Sequence, residues 1–399
     1  MYSPSLAALE EDRGAFHGLK SVGTEFWAAP CGVWTAPCWV SGLALYRAMT
    51  LRPARYNPVA GLQRITGESR MKKKVLVTRE VFDETLQYLA QHCEVASNQA
   101  NVPYTTDELV RKLAGVDAAV IMSVDRVDDA FLAACPSVKA VCSASVGYNH
   151  IDLAACTRHG VMATNTPGVL TNSVADFAVC LTLATCRRLP EAERFLRTGE
   201  WQGTHLKEML GVDLHHATVG ICGFGRIGQT IAQRLQGFEV KVLYAARHRV
   251  APEIERRLNA SHAPKDELLR QADVVILILP YAQETHHYIG RRELELMKRT
   301  AVLINAARGG IVDDTALVEA LEARRIWAAG LDVYENEPKL NPGLYKLRNA
   351  VLSPHIASAS EPTRQAMAMT SAKNCVAAMT DGSPPNLLNP EVRQQGVRA

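Results

Sequence analysis

Beyond Met71 the apolar residues fall into two alternating patterns, short β-branched runs and longer stretches with apolar positions at helical spacing. In the first part of the chain the short runs predict strands over Lys74–Thr78, Cys93–Ala96, Val116–Met122 and Val138–Ser143. Val81–Ala90 reads as a helix, and Thr105 with Glu108 forms a capping box that opens another helix to Ala114. Asn172–Arg187 is apolar nearly all round, which predicts a helix buried in the core or against another subunit. A second set of strands is predicted at Val219–Cys222, Val240–Tyr244, Asp273–Leu279, Ala301–Asn305, Ala328–Leu331 and Ala350–Leu352. The chain should close with a helix over Glu361–Thr380 and an unstructured tail from Gly382-Ser383-Pro384-Pro385. Strands alternating with helices imply parallel sheets covered on both faces, an α/β protein with two Rossmann- or flavodoxin-like units.

Residues 1–70 lack this pattern. They hold Trp27, Trp34 and Trp39 among scattered prolines and glycines, and Glu10-Glu11-Asp12 near the start does not suit a signal peptide. Met71-Lys72-Lys73-Lys74 runs straight into the first strand and reads as a natural start. Residues 1–70 are therefore expected to be a non-native or disordered extension.

A length of 399 residues suits two domains, and 47% hydrophobic with 21% charged residues supplies packed cores. The net charge of +3 is small and the basic residues are scattered, which argues against a nucleic-acid partner or a membrane-surface helix. No apolar run approaches the roughly 18 residues of a spanning helix. The ten cysteines are dispersed without metal-ligand spacing. No metal site is expected, and buried reduced thiols of a cytoplasmic protein explain them.

The candidate chemistry starts at Gly223-Phe224-Gly225-Arg226-Ile227-Gly228. Glycines at that spacing are a weak signal alone, but these follow an apolar strand and open a helix. That geometry aims backbone N–H groups and a positive helix end at a pyrophosphate. Gly223 permits the turn, Gly225 lets phosphates approach and Gly228 lets helix and strand pack closely. An NAD site would place a carboxylate for the ribose 2′-OH about 20 residues further on. Ala246 stands there, followed by Arg247, His248 and Arg249. A missing carboxylate and two charge-assisted donors suit a 2′-phosphate, so NADP(H) is expected over NAD(H).

Ligands in such folds gather beyond the carboxyl ends of the strands. Three successive strand ends carry Ala306-Ala307-Arg308, Asp332-Val333-Tyr334-Glu335-Asn336-Glu337-Pro338 and Ser353-Pro354-His355. An arginine, a carboxylate and a histidine so placed could converge on one crevice. Together they would bring a charged fork, a carboxylate and a proton-transferring ring to one place.

With Leu279-Pro280, Glu284-Thr285-His286-His287, Asn305-Ala306-Ala307-Arg308-Gly309-Gly310 and the runs just quoted, Met71 to about Pro390 resembles the D-isomer-specific 2-hydroxyacid dehydrogenases. Within them the chain is most similar to the glyoxylate/hydroxypyruvate and 2-ketogluconate reductases. The resemblance implies a catalytic set of Arg308, Glu337 and His355, and a substrate carboxylate held at Val146, Gly147 and Arg308. It implies cofactor contacts from Thr171, the glycine turn, Leu279, Pro280, Thr285, Ala306, Ala307, Arg308, Asp332 (to the nicotinamide amide), His355 and Ser358. It implies a homodimer built in part by residues 172–187. It also implies a discontinuous substrate domain, 71–170 with 356–390, around a cofactor domain of 171–355, with the active site in a cleft that closes on substrate. Tyr281-Ala282-Gln283, Asn149 and Ala357 depart from the family pattern. The competing readings are a relative acting on phosphoglycerate, phosphite or formate, or a dinucleotide-sensing corepressor.

Overall fold

The computed structural model describes residues 72–395, so the expectation for residues 1–70 lies outside the described residues. Two parallel sheets form. The first contains β1 (Lys74–Val77), β2 (Glu94–Ser97), β3 (Ala118–Ile121), β4 (Ala140–Ser143) and β5 (Met162–Thr164), in the order β2-β1-β3-β4-β5. Helices α1 (Asp83–His92), α2 (Thr106–Leu113), α3 (Asp129–Ala134) and α4 (Leu153–Arg158) connect these strands. The Thr105–Glu108 capping box is present in full at the start of α2.

Two further helices, α5 (Thr171–Cys186) and α6 (Leu189–Arg197), lead into the second sheet. That sheet is built from β6 (Thr218–Cys222), β7 (Lys241–Ala245), β8 (Ala260–His262), β9 (Val274–Leu277), β10 (Val302–Asn305), β11 (Ala328–Leu331) and β12 (Ala350–Leu352). Its order is β12-β11-β10-β9-β6-β7-β8, with α7 (Arg226–Leu235), α8 (Pro252–Leu258), α9 (Lys265–Gln271), α10 (Arg291–Leu296) and α11 (Asp314–Glu322) between strands. The central strands are buried end to end, as parallel strands covered on both faces must be. Seven strands replace the six expected. The addition is β8, a three-residue edge strand whose Ser261 and His262 face solvent, so no apolar run announces it.

One face of α5 packs against the second sheet through Ala178, Leu181 and Thr185. Its Asn172, Asp176 and Cys180 are exposed, so the helix is less enclosed than its composition suggests. The last long helix, α12 (Glu361–Thr380), packs on the first sheet. Ala368, Ala372, Cys375 and Val376 share a core with Val75, Val77 and Cys142, and the Ser371 hydroxyl donates to the Cys142 carbonyl at 2.8 Å.

The tail is ordered, against expectation. Leu387 bridges Thr164 in antiparallel fashion, and α13 (Val392–Gln395) follows. Buried Asn389 accepts from the Ala163 N–H and donates to the Val161 carbonyl, both at 2.9 Å. Asparagine side chains, rather than an apolar period, fasten this segment to the edge strand β5. Cys93, Cys142, Cys186, Cys222 and Cys375 are buried thiols. Burial pushes Cys186 and Cys222 up to about 12. Among the described residues, no helix is long and apolar enough to cross a membrane.

Candidate active site

The glycine turn stands between β6 and α7. Gly223 has φ +97°, and a Cβ there would lie 2.7 Å from the Ile278 carbonyl oxygen, so only glycine fits. At Gly228 a Cβ would meet the Gly223 carbonyl oxygen at 2.2 Å, which lets α7 start tight against the strand. A Cβ on Gly225 would meet nothing within 4 Å, and no side chain caps α7 there. Open space over the first N–H groups of a helix suits a pyrophosphate. Leu279 and Pro280 follow β9 beside this turn, because the Ile278 N–H donates to the Cys222 carbonyl. The Thr285 hydroxyl closes the next loop on the Pro280 carbonyl at 2.9 Å. Thr171 begins α5, and half-buried Ser358 gives its carbonyl to Arg364 and Ser360.

Ala246, Arg247, His248 and Arg249 follow β7, whose Ala245 carbonyl accepts from the Gly223 N–H. Arg247 and His248 are exposed. Arg249 is engaged: its guanidinium forks onto Glu255 with both contacts at 2.8 Å, and the buried Tyr244 hydroxyl donates to the same carboxylate at 2.7 Å. Those bonds, Arg249 first, hold Glu255 down to about 2. Arg249 thus brings charge but not the unoccupied fork that its sequence position suggested. Glu255 sits one helical turn into α8, a pairing that local sequence does not announce.

Arg308, Glu337 and His355 come together beyond β10, β11 and β12. Asn305 ends β10 and clamps the arginine loop, accepting from the Ala307 N–H at 3.1 Å and donating to the Arg308 carbonyl at 3.2 Å. Ala306 and Ala307 are buried. Burial lowers the pKa of Arg308 against the opposing charge of Glu337, and an arginine still stays protonated. Glu337 accepts from the Tyr334 N–H at 2.8 Å and lies 2.8 Å from Nδ1 of His355. Burial alone would raise the Glu337 carboxyl. The hydrogen bond and charge of His355, the Tyr334 N–H and Arg308 outweigh it and hold the group below its ordinary value.

His355 has φ +53°, a conformation uncommon for a residue with a side chain. Asp332 explains how it is held. Its carbonyl accepts the His355 N–H, and its fully buried carboxylate accepts from Ser353 Oγ, the Ile356 N–H and the Ala357 N–H at 2.7–2.9 Å. The resemblance assigns Asp332 to the nicotinamide amide. In the structure both of its oxygens also hold the turn that presents the histidine.

The first sheet contributes the loop after β4. The Val146 carbonyl accepts from Asn165 at 2.8 Å and the Gly147 carbonyl from the Ser145 hydroxyl at 2.7 Å. Among the described residues neither the Val146 N–H nor the Gly147 N–H has an acceptor. The Arg308 guanidinium lies directly against Gly147, where a Cβ would stand 2.0 Å from Nη2. Two unpaired amides beside a guanidinium form an anion cradle. Leu170, Val174, Ala357 and Met367 pack with Val146, Ile227 and Ile278 beneath it, joining loops from both sheets.

His150, in the same loop, was not among the expected site residues. Its Nε2 lies 3.1 Å from the Ser143 hydroxyl, which is 2.8 Å from Ser145 Oγ. Burial, with the Arg308 charge acting in the same sense, pushes it down to about 4, so it adds no second cation beside the cradle. An unfolded chain takes up this proton near the ordinary 6.5 and the folded chain only near 4. Between those values the unfolded state binds more protons, so His150 destabilises the fold increasingly as pH falls through that window. Asp314, pushed up to about 6 chiefly by burial, acts in the opposite sense over nearly the same range. The test is therefore a difference. His150→Asn should lose less unfolding free energy than wild type between pH 7 and pH 5 in denaturant titrations. Equal losses would show that His150 titrates normally.

A sequence profile described as "D-isomer specific 2-hydroxyacid dehydrogenase, NAD binding domain" matches residues 179–357. The glyoxylate reductase of Thermococcus onnurineus is 45% identical over 326 residues, covering 81% of this chain and 97% of the relative. That of Aeropyrum pernix is 44% identical over 334 residues, covering 82% and 99%. Among solved structures, the NADPH-dependent glyoxylate/hydroxypyruvate reductase of Sinorhizobium meliloti, in complex with NADP and malonate, is 32% identical. It matches with a TM-score of 0.72 over 79% of this chain and 97% of that one. The two parallel-sheet units agree with these likenesses: the chain belongs to the D-isomer-specific 2-hydroxyacid dehydrogenase family of oxidoreductases.

Proposed function

We propose that the protein reduces a small 2-keto acid, such as glyoxylate, hydroxypyruvate or 2-ketogluconate, to the D-2-hydroxy acid, with NADPH preferred and NADH possible. The observation that carries this reading is the cradle at Val146 and Gly147 against Arg308, with the His355–Glu337 pair at 2.8 Å beyond the adjacent strand ends. The cradle holds the substrate carboxylate, and Arg308 also polarises the carbonyl. Nδ1 of His355 is engaged by Glu337, which leaves Nε2 to protonate the developing alkoxide. The bound cofactor supplies a hydride, and the protein supplies orientation and electrostatics. Closure of the cleft would keep water from the reaction.

The purified protein should oxidise NADPH with one or more of glyoxylate, hydroxypyruvate, 2-ketogluconate and pyruvate. Turnover of none would favour a dinucleotide-sensing binding protein. We place the protein in the cytoplasm as a homodimer. Leu189, Leu196, Trp201, Leu206 and Leu210 form an exposed apolar succession after α5 that a second copy would cover.

Cofactor preference rests on Arg247 and His248, with Arg249 as added charge. Ala246→Asp with Arg247→Ala supplies a ribose-binding carboxylate and removes an unengaged guanidinium, and it spares Arg249, whose loss would strand Glu255. The ratio of kcat/KM for NADPH over NADH should fall by about tenfold or more, the scale of one charged hydrogen bond. A wild type that uses both cofactors equally would refute the electrostatic argument.

A further inference from the structure

A separate cavity of about 280 Å³ opens at the ends of β11 and β12 opposite the catalytic turn. Trp327, Ala328, Ala350 and Val351 give it an apolar floor, and Arg188, Arg194, Arg324 and Arg348 line it as well. Of these arginines only Arg188 is balanced, by a fork onto Glu191 with both contacts at 2.9 Å. Among the described residues Arg194, Arg324 and Arg348 have no carboxylate partner. Arg188 follows α5 and Arg324 follows α11, with φ of +53° and +52°. Two helix ends thus hold the backbone in a region that side-chain-bearing residues seldom adopt, and both deliver a guanidinium to one mouth.

Four guanidinium groups against one carboxylate focus positive potential into a concave space with low-dielectric walls. Arginine suits planar, bidentate capture of phosphate and carboxylate, and an indole at the floor suits a flat or apolar body. We propose that this cavity binds a compact polyanion bearing two or more phosphate or carboxylate groups, independently of the catalytic cleft. Bound ligand would sit at the starts of the two strands whose far ends carry Asp332 and His355.

The test is calorimetric titration of the full-length protein in its native assembly, saturated with NADP⁺ so that the pyrophosphate site is filled. Sodium triphosphate and citrate are titrated separately at constant ionic strength. Saturable binding of either is expected, with the tighter probe identifying a phosphorylated or a carboxylate ligand. Arg324→Ala/Arg348→Ala should weaken binding by about tenfold or more, while keto-acid turnover shows the variant folded. Arg111→Ala/Lys112→Ala, an equal charge change on exposed α2, should bind like wild type. No saturable binding by wild type would overturn the proposal. So would unchanged binding by the Arg324/Arg348 variant, or equal weakening in the α2 control.

Discussion

Replacing His355 by Asn should lower kcat for keto-acid reduction by about 10²–10⁴-fold, with KM changed far less. Asparagine is the informative choice because it tolerates positive φ, so the turn at φ +53° and its bonds to Asp332 survive while the proton donor is lost. In the proposed reaction the imidazole acts only as the carbonyl becomes an alkoxide, so its contribution would be absent from the ground state. Glu337→Gln separates its partner's role. The amide can still meet Nδ1, but the carboxylate charge beside the ring is gone. Glu337→Gln should therefore lower kcat, by less than His355→Asn does, with KM changed far less than kcat. A kcat equal to that of wild type would mean that the 2.8 Å contact only orients the ring.

The two-sheet architecture is legible in the sequence because parallel strands buried on both faces write themselves as continuous apolar runs, as Val302–Asn305 does. β5 and β8 are three residues each, too short for any period, and the tail is fastened by Asn386 and Asn389 with Leu387 and Val392, apolar positions too few to make one. At the candidate site, residue types at strand ends can be read along the chain, but what each side chain already holds cannot. Arg249 looks like an unengaged donor until Glu255 is placed beneath it. Nothing along the chain shows that the Asp332 carboxylate also accepts three hydrogen bonds from the turn that carries His355. His150 is an ordinary loop histidine in the sequence. Its burial beside Arg308 arises only when the loop after β4 meets the loop after β10. Pairings between distant segments carry no local signature, and those are the features that the sequence left open.

Arg308→Ala should cost about 2–5 kcal/mol of transition-state stabilisation, the scale for truncating one partner of a buried charged pair. That is roughly a 30- to 5,000-fold loss of kcat/KM, with KM raised because the substrate carboxylate is charged before reaction begins. Arg308→Lys should recover little, since a single ammonium cannot reproduce the planar fork. Gly147 tests the same contact from the opposite wall. A methyl group there would stand 2.0 Å from Nη2 and 2.7 Å from the guanidinium carbon, so the arginine tip must move. The obstructed atoms belong to the end of a flexible side chain rather than to backbone, so Gly147→Ala should fold and melt like wild type yet lose activity in the manner of Arg308→Ala. If the two act through one contact, their effects cannot add. Gly147→Ala/Arg308→Ala should then be little worse than Arg308→Ala alone, because with the guanidinium gone the methyl group has nothing to displace. Steady-state kcat/KM for the four proteins of this cycle decides it. Additive losses would show that Gly147 serves the substrate by some route other than seating Arg308, and the cradle would have to be rebuilt without their contact.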